Sequence, residues 1–282
     1  MDRRRFLSSS AAAPAVAAAA AFGVQDSARA ATPRGATAAD RRTFVLVHGT
    51  WLGGWIWSPV ADLLRAHGHR VYCPTVTGCG EREHLSRPDV GLETHIQDIM
   101  GVIECEELQD VILVGHSFAG ITITGVADRM RDRIRHLVFL DALVPAPGRM
   151  SGVMRNADGS LPEYWLKRKA KFIDGYRMSF FEEYPMAMLA PDDMPEVQAW
   201  LRRRITTHPM RQWEDELVLQ GRGYEGLPRT FIHCTGQKYS QTSERMIGPA
   251  LNNPDWNFIR FPYPRTPMAT HPRETADLLS SL

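Results

Sequence analysis

The sequence predicts an α/β fold: a mostly parallel β-sheet flanked by helices, with a helical insertion between two of its strands. Three observations point there. Short continuous apolar runs recur along the chain, as in strands buried on both faces. Stretches of helical periodicity separate those runs. One run also passes straight into a helix through a glycine-flanked serine, Ser117.

Taken in order, Thr43-Phe-Val-Leu-Val47 reads as the first buried strand. A glycine-rich turn follows, then a helical stretch from about Trp57 to Ala66 that stops near Gly68. Arg70 to Cys73 reads as a second strand ended by Pro74, whose ring cannot continue the ladder. From His95 to Glu106 the residues Ile96, Ile99, Met100 and Ile103 recur at helical spacing. Val111 to Val114 is a further strand, Phe118 to Arg129 its following helix, and His136 to Leu140 the next strand. The rhythm then breaks between about 145 and 227, where aromatic-rich helical segments such as Val197 to Arg204 replace the apolar runs; this stretch reads as a lid over one edge of the sheet. Strands resume at Thr230 to His233 and Trp256 to Phe261, and Arg273 to Leu282 is the closing helix.

Length and composition fit a globule with a sizeable core. The chain has 282 residues, 44% of them hydrophobic and 23% charged, close to the soluble average. Lysine plus arginine number 33 against 32 for aspartate plus glutamate, so no basic nucleic-acid surface is expected. Four cysteines are too few for a disulfide scaffold, and no zinc-ligand spacing occurs. Their expected role is that of structural thiols. No metal, cofactor or stable membrane insertion is expected.

Residues 1–30 read as a removable leader rather than as part of the globule. Arg3-Arg4-Arg5-Phe6-Leu7 precedes an alanine-rich run from Ala11 to Phe22, and Ala28-Arg29-Ala30 has the form of a signal-peptidase site. The apolar run is shorter than the ~20 residues that span a bilayer. Paired arginines before Phe-Leu resemble a twin-arginine export signal, which implies a periplasmic or secreted destination. Residues 31–42 form a linker, and residues 43–282 the folded domain.

The chemistry centres on Ser117. In Gly115-His116-Ser117-Phe118-Ala119 the serine sits at a strand-to-helix turn, with small residues on both sides where the chain bends sharply. The backbone N–H of Phe118 then points towards an oxygen developing negative charge, and the dipole of the new helix supports it. His48-Gly49-Thr50-Trp51 follows the first strand and is placed to add the N–H of Thr50. A serine helix cap and a glycine-rich turn would explain each motif singly, but not both in these places.

At this point the chain resembles the α/β-hydrolase superfamily, within its esterase and hydroxynitrile lyase group. The stretches that carry the resemblance are FVLVHGTWLGGWIW, TGCGEREHL, DVGLETHIQDI, DVILVGHSFAGITITGVADR, HLVFLDALVP and PMATHPRETADLL. The resemblance implies the α/β-hydrolase fold, Ser117 as nucleophile, and Thr50 with Phe118 as the oxyanion hole. Plant lyases of the group carry threonine after the first histidine and lysine after the catalytic one. Gly49 and Thr266 stand there in this sequence, which favours hydrolysis over cyanohydrin cleavage.

The rest of the triad departs from the pattern. Many relatives place an aspartate after the strand ending at His233, but Cys234-Thr-Gly-Gln-Lys238 holds no carboxylate. Asp141, after the preceding strand, is the alternative acid, or else it caps the start of the lid. The catalytic histidine position, two residues before Pro267-Met268, holds Arg265. A guanidinium cannot take the serine proton at neutral pH. His271, ahead of Pro272 at the start of the closing helix, is the candidate substitute base, with a helix-capping role as its alternative. His84 ranks below it as a possible pocket residue. His48 and His116 are expected to support the two backbone motifs, and His233 to be a packed core histidine.

Two functions follow from this reading. One is an exported serine hydrolase of a small apolar ester or lactone. The other is a non-catalytic relative that binds a small apolar ligand, the reading that Arg265 favours.

Overall fold

The computed structural model describes residues 41–146, 150–236 and 247–282. The leader at 1–30 and all but the end of the 31–42 linker lie outside the described residues, as do three residues of the lid stretch.

The sheet strands are β1 (Thr43–Val47), β2 (Arg70–Tyr72), β3 (Val111–His116) and β4 (Ile134–Leu140), then, after two short strands of the insertion, β7 (Arg229–Cys234) and β8 (Asn257–Phe261). They run parallel in the order β2-β1-β3-β4-β7-β8. Parallel neighbours need crossovers, and α1 (Ser58–Ala66), α2 (Leu92–Cys105) and α3 (Ala119–Arg129) supply the first three. This is the α/β-hydrolase fold.

Alternation along the strands sorts the apolar side chains into two layers. Phe44, Leu46, Ile112 and Val114 face α1 and the closing helix Pro272–Ser281. Val45, Val47, Leu113 and Phe139 face α2 and α3 through Ile96, Ile99, Ile103, Ile123 and Val126. Each such side chain contributes about 1.5–3 kcal/mol when fully buried, so both faces of a strand are better apolar. That is why these strands read as unbroken hydrophobic runs. The closing helix starts one residue before the sequence expectation, because Pro272 takes its first turn, where a missing N–H costs nothing.

Register brings the functional edge together. Val47 pairs with Gly115, His116 with Leu140, and Leu140 with Ile232. The residues that leave β1, β3, β4 and β7 therefore emerge side by side.

Between β4 and β7 lie the short helices Glu163–Lys169, Phe180–Glu183, Pro195–Arg202 and Arg211–Glu214, with β5 (Arg177–Met178) and β6 (His208–Pro209) paired antiparallel. This insertion is bonded to the core. Trp165, Phe180, Leu201 and Met210 join the apolar layer that contains α1. Asp215 Oδ2 accepts the Leu92 N–H at 2.9 Å, supplying the first turn of α2 with the acceptor that Gly91 lacks. Among the described residues no helix is long and apolar enough to cross a membrane.

Helix α3 lies so close to the loop after β4 that a Cβ on Gly120 would sit 2.0 Å from the Leu143 carbonyl oxygen. The obstacle is backbone, which cannot step aside cheaply. Gly120→Ala is therefore expected to destabilise the fold by about 1–3 kcal/mol, lowering the Tm by at least ~3 °C. A thermal melt of that variant indistinguishable from the parent would contradict this packing.

Candidate active site

Three non-glycine residues leave their strands in the left-handed backbone region. Trp51 follows β1 with φ 66°, Ser117 follows β3 with φ 57°, and Asp141 follows β4 with φ 44°. Such conformations cost of order 1–3 kcal/mol each and persist only where surrounding contacts impose them. At Ser117 those contacts are backbone: its N–H donates to the Leu140 carbonyl at 3.3 Å, and its carbonyl accepts from Leu143 at 2.8 Å. The turn lifts the side chain off the sheet edge and leaves it partly exposed.

The loop after β1 closes on the serine. A Cβ on Gly49 would lie 2.8 Å from Ser117 Cβ and 2.9 Å from His116 Nδ1, so glycine here permits the approach. His48 holds the same loop from beneath, with Nδ1 2.8 Å from the Gly49 carbonyl and Nε2 accepting the Val76 N–H at 3.2 Å. Among the described residues no carbonyl or side chain accepts from the N–H of Thr50 or of Phe118.

Arg265 fills the space where a base would stand. Its Nη2 donates to Ser117 Oγ at 3.0 Å, and its Nη1 lies 3.3 Å from Asp141 Oδ2. The side chain is 4% exposed and that of Asp141 is 0% exposed, so the pair is an interior one. His116 Nε2 contacts the Arg265 carbonyl at 3.1 Å, and Thr266 Oγ1 donates to the Leu189 carbonyl of the insertion. These bonds fix the backbone from which the guanidinium reaches the serine. Chemically, Ser117 Oγ accepts a hydrogen bond from a permanent cation, which cannot in turn accept the hydroxyl proton.

Asp141 faces Arg265 on one side and His233 on the other. Burial alone would raise its carboxyl pKa, but the adjacent His233 imidazole and the Arg265 charge together hold it below the ordinary carboxylate value. His233 was expected in the packed core. Its side chain is 18% exposed, and its Nδ1 stands 3.6 Å from Asp141 Oδ1. The strand position was legible, but the partner one strand away was not.

Among the described residues His271 makes neither a hydrogen bond to Ser117 nor a side-chain cap bond to the closing helix. It is the residue before the closing helix, its ring stacks on Tyr263 at 4.2 Å, and its Nδ1 is 3.0 Å from Thr270 Oγ1. The loop carries Arg265, not His271, onto Ser117 Oγ. His84 is exposed, on the short turn Gly80–Leu85. All four cysteines are free thiols. Among the described residues no cluster of histidine, cysteine, aspartate and glutamate could hold a metal ion.

Sequence reasoning missed a buried polar group beneath the β1 loop. His95 and His208 are bridged by the Gln212 side chain, His95 Nε2 lies 3.0 Å from the Thr77 carbonyl, and His208 Nδ1 accepts the Trp51 N–H at 3.2 Å. A cavity of about 10 Å³ between this group, Thr50 and Phe118 has room for a single water molecule. Its two insertion members, His208 and Gln212, stand at i and i+4, a spacing too common to mark a site.

The chain belongs to the alpha/beta hydrolase family, whose model matches residues 44–278. It is 40% identical over 245 residues to a carbendazim hydrolyzing esterase of Nocardioides sp. (strain SG-4G), covering 85% of this chain and 98% of that protein. It is 26% identical over 220 residues to Methylesterase 8 of Arabidopsis thaliana, covering 71% of this chain and 76% of the relative. Among solved structures, an extracellular alpha/beta-hydrolase from a Paenibacillus species matches with a TM-score of 0.67 at 25% identity, covering 85% of this chain and 98% of that one.

The buried imidazoles make the fold acid-sensitive. Burial lowers the pKa of His48 to about 4. Burial, followed by the Arg265 charge, lowers that of His116 to about 3. Burial also lowers His95, and carries His208 well down. Unfolded histidines bind protons below pH ~6.5 while these stay neutral. Stability is therefore complete above that pH and is lost as pH falls from 6.5 towards about 4, by up to ~1.4 kcal/mol per pH unit for each group. The expected result is a Tm that drops steeply between pH 7 and pH 5; a flat profile over that range would refute it.

Proposed function

We propose that this α/β-hydrolase family member is a serine hydrolase of a small, partly apolar carboxylic ester or lactone, with Arg265 keeping its turnover low. The observation that carries the reading is the Ser117 elbow, at φ 57° with its hydroxyl partly exposed. A structural serine has no need of that backbone cost. The esterases among the relatives support the reaction class. Residues 1–30 support export, which N-terminal sequencing of the secreted protein would test by finding residue 31 first.

In this reading Ser117 Oγ attacks the ester carbonyl while the N–H groups of Thr50 and Phe118 take the developing negative charge. Preorganised donors of this type contribute about 3–4 kcal/mol each in other enzymes. The missing part is the base. The guanidinium donates to the hydroxyl oxygen and offers the hydroxyl proton no acceptor, and Asp141 lies on its far side. Attack therefore proceeds from an un-ionised alcohol, whose proton passes to solvent at the partly exposed hydroxyl; the adduct then expels the leaving alcohol, which takes up a proton from solvent, and water hydrolyses the acyl-serine. The same contact favours a second reading, a non-catalytic relative that keeps the pocket for a small apolar ligand.

One substitution separates the two. Arg265→His returns a group with a pKa near ~6.5 to the position between Ser117 and Asp141. The hydrolase reading expects at least a tenfold gain in kcat/KM on 4-nitrophenyl acetate, about 1.4 kcal/mol of barrier, and reaction of Ser117 with a fluorophosphonate. Ser117→Ala in either background should abolish turnover and labelling. No gain, no labelling and a Tm unchanged by Arg265→His would leave only the binding reading.

A further inference from the structure

One residue of the insertion touches both residues whose N–H groups are assigned to the oxyanion. Trp213 Nε1 donates to Thr50 Oγ1 at 3.1 Å, and its ring centre lies 5.0 Å from that of Phe118. The adjoining residue, Trp51, is held in its left-handed conformation almost wholly by the insertion. Its N–H donates to His208 Nδ1 at 3.2 Å and its indole N–H to the Met178 carbonyl at 3.1 Å. Its carbonyl accepts from Thr206 at 3.4 Å, and its ring packs edge-on against Phe180 and Tyr184. From the core, the same loop receives the His48 bonds and a 3.4 Å turn bond from Leu52 to Gly49. A tryptophan at φ 66° relaxes to an ordinary conformation once its restraints go, and that relaxation carries the neighbouring Thr50 with it.

We infer that the insertion belongs to the reaction machinery: through Trp213 and His208 it holds the Thr50 N–H where the oxyanion forms. Both are positioning residues that act through the β1 loop. The inference rests on the hydrolase reading above and adds a role for the insertion beyond enclosing substrate. A pocket wall would alter substrate affinity, whereas an aligned donor acts on the transition state and lowers kcat when disturbed.

The test is a double-mutant cycle on 4-nitrophenyl acetate hydrolysis, run in the natural chain and in Arg265→His. Trp213→Phe removes the indole donor, while Thr50→Val removes its acceptor and keeps the Thr50 N–H. Each is expected to lower kcat about tenfold, the loss of one aligned hydrogen bond, with KM within about twofold. The double variant should be no slower than the slower single one, because both delete the same bond. If Trp213→Phe fails to fold, Thr50→Val reads that bond with the indole intact. Unchanged kcat, a rise in KM alone, or additive losses would overturn the inference and leave the hydrolase reading standing. Absence of turnover in every chain with Thr50 and Trp213 intact would overturn the hydrolase reading itself, and with it this one.

Discussion

The register of β1, β3 and β4 sets everything at the site. Because these strands end together, three successive turns occupy one edge of the sheet, and each turn contains a residue in the left-handed region, Trp51, Ser117 and Asp141. After β3 the helix begins at Ala119, so Ser117 has little chain over which to spread the reversal. The backbone cost is met by packing behind the edge, where two apolar layers clamp the strands from both sides. A rigid sheet turns three locally unfavourable conformations into a fixed arrangement in which one guanidinium reaches both the Ser117 hydroxyl and the Asp141 carboxylate.

Electrostatics then decide what that arrangement can do. A buried carboxylate needs a partner, since an unpaired interior charge costs several kcal/mol. Arg265 meets that need for Asp141 more completely than a neutral imidazole would. In doing so it places a full positive charge 3.0 Å from the serine oxygen and helps to hold the His116 ring neutral. The pair thus favours the fold, while the guanidinium occupies the place beside the serine and has no lone pair to take its proton.

The sheet was legible because its signal is local. Strands buried on both faces appear as apolar runs, and the Gly115 to Ala119 elbow sits at a run's end. Arg265 was also legible, as a departure within a recognisable loop. The rest depended on distant pairings. His233 reaches Asp141 across neighbouring strands, and His208 reaches Trp51 over 157 residues of chain. Sequence reasoning also has no measure of where the loop after β8 carries Arg265 and His271. The insertion was legible as helical and aromatic, but its bonds to Thr50 and Trp51 leave no periodic trace.

The position of the insertion also sets the order in which the interior is finished during synthesis. Asp141 leaves the ribosome with β4, whereas Arg265 follows only after the insertion, β7 and β8. At translation rates of 5–20 residues per second that interval is roughly 6–25 s. Over that time the carboxylate meant for the interior has no guanidinium to meet, and β4 lacks its neighbour on one side. The nascent chain therefore carries an open sheet edge until β7 has followed, and an ionised group that resists burial until Arg265 has followed. A ribosome that stalls within the insertion leaves a product with the whole serine elbow and no closed interior beside it, a natural substrate for chaperones and proteases.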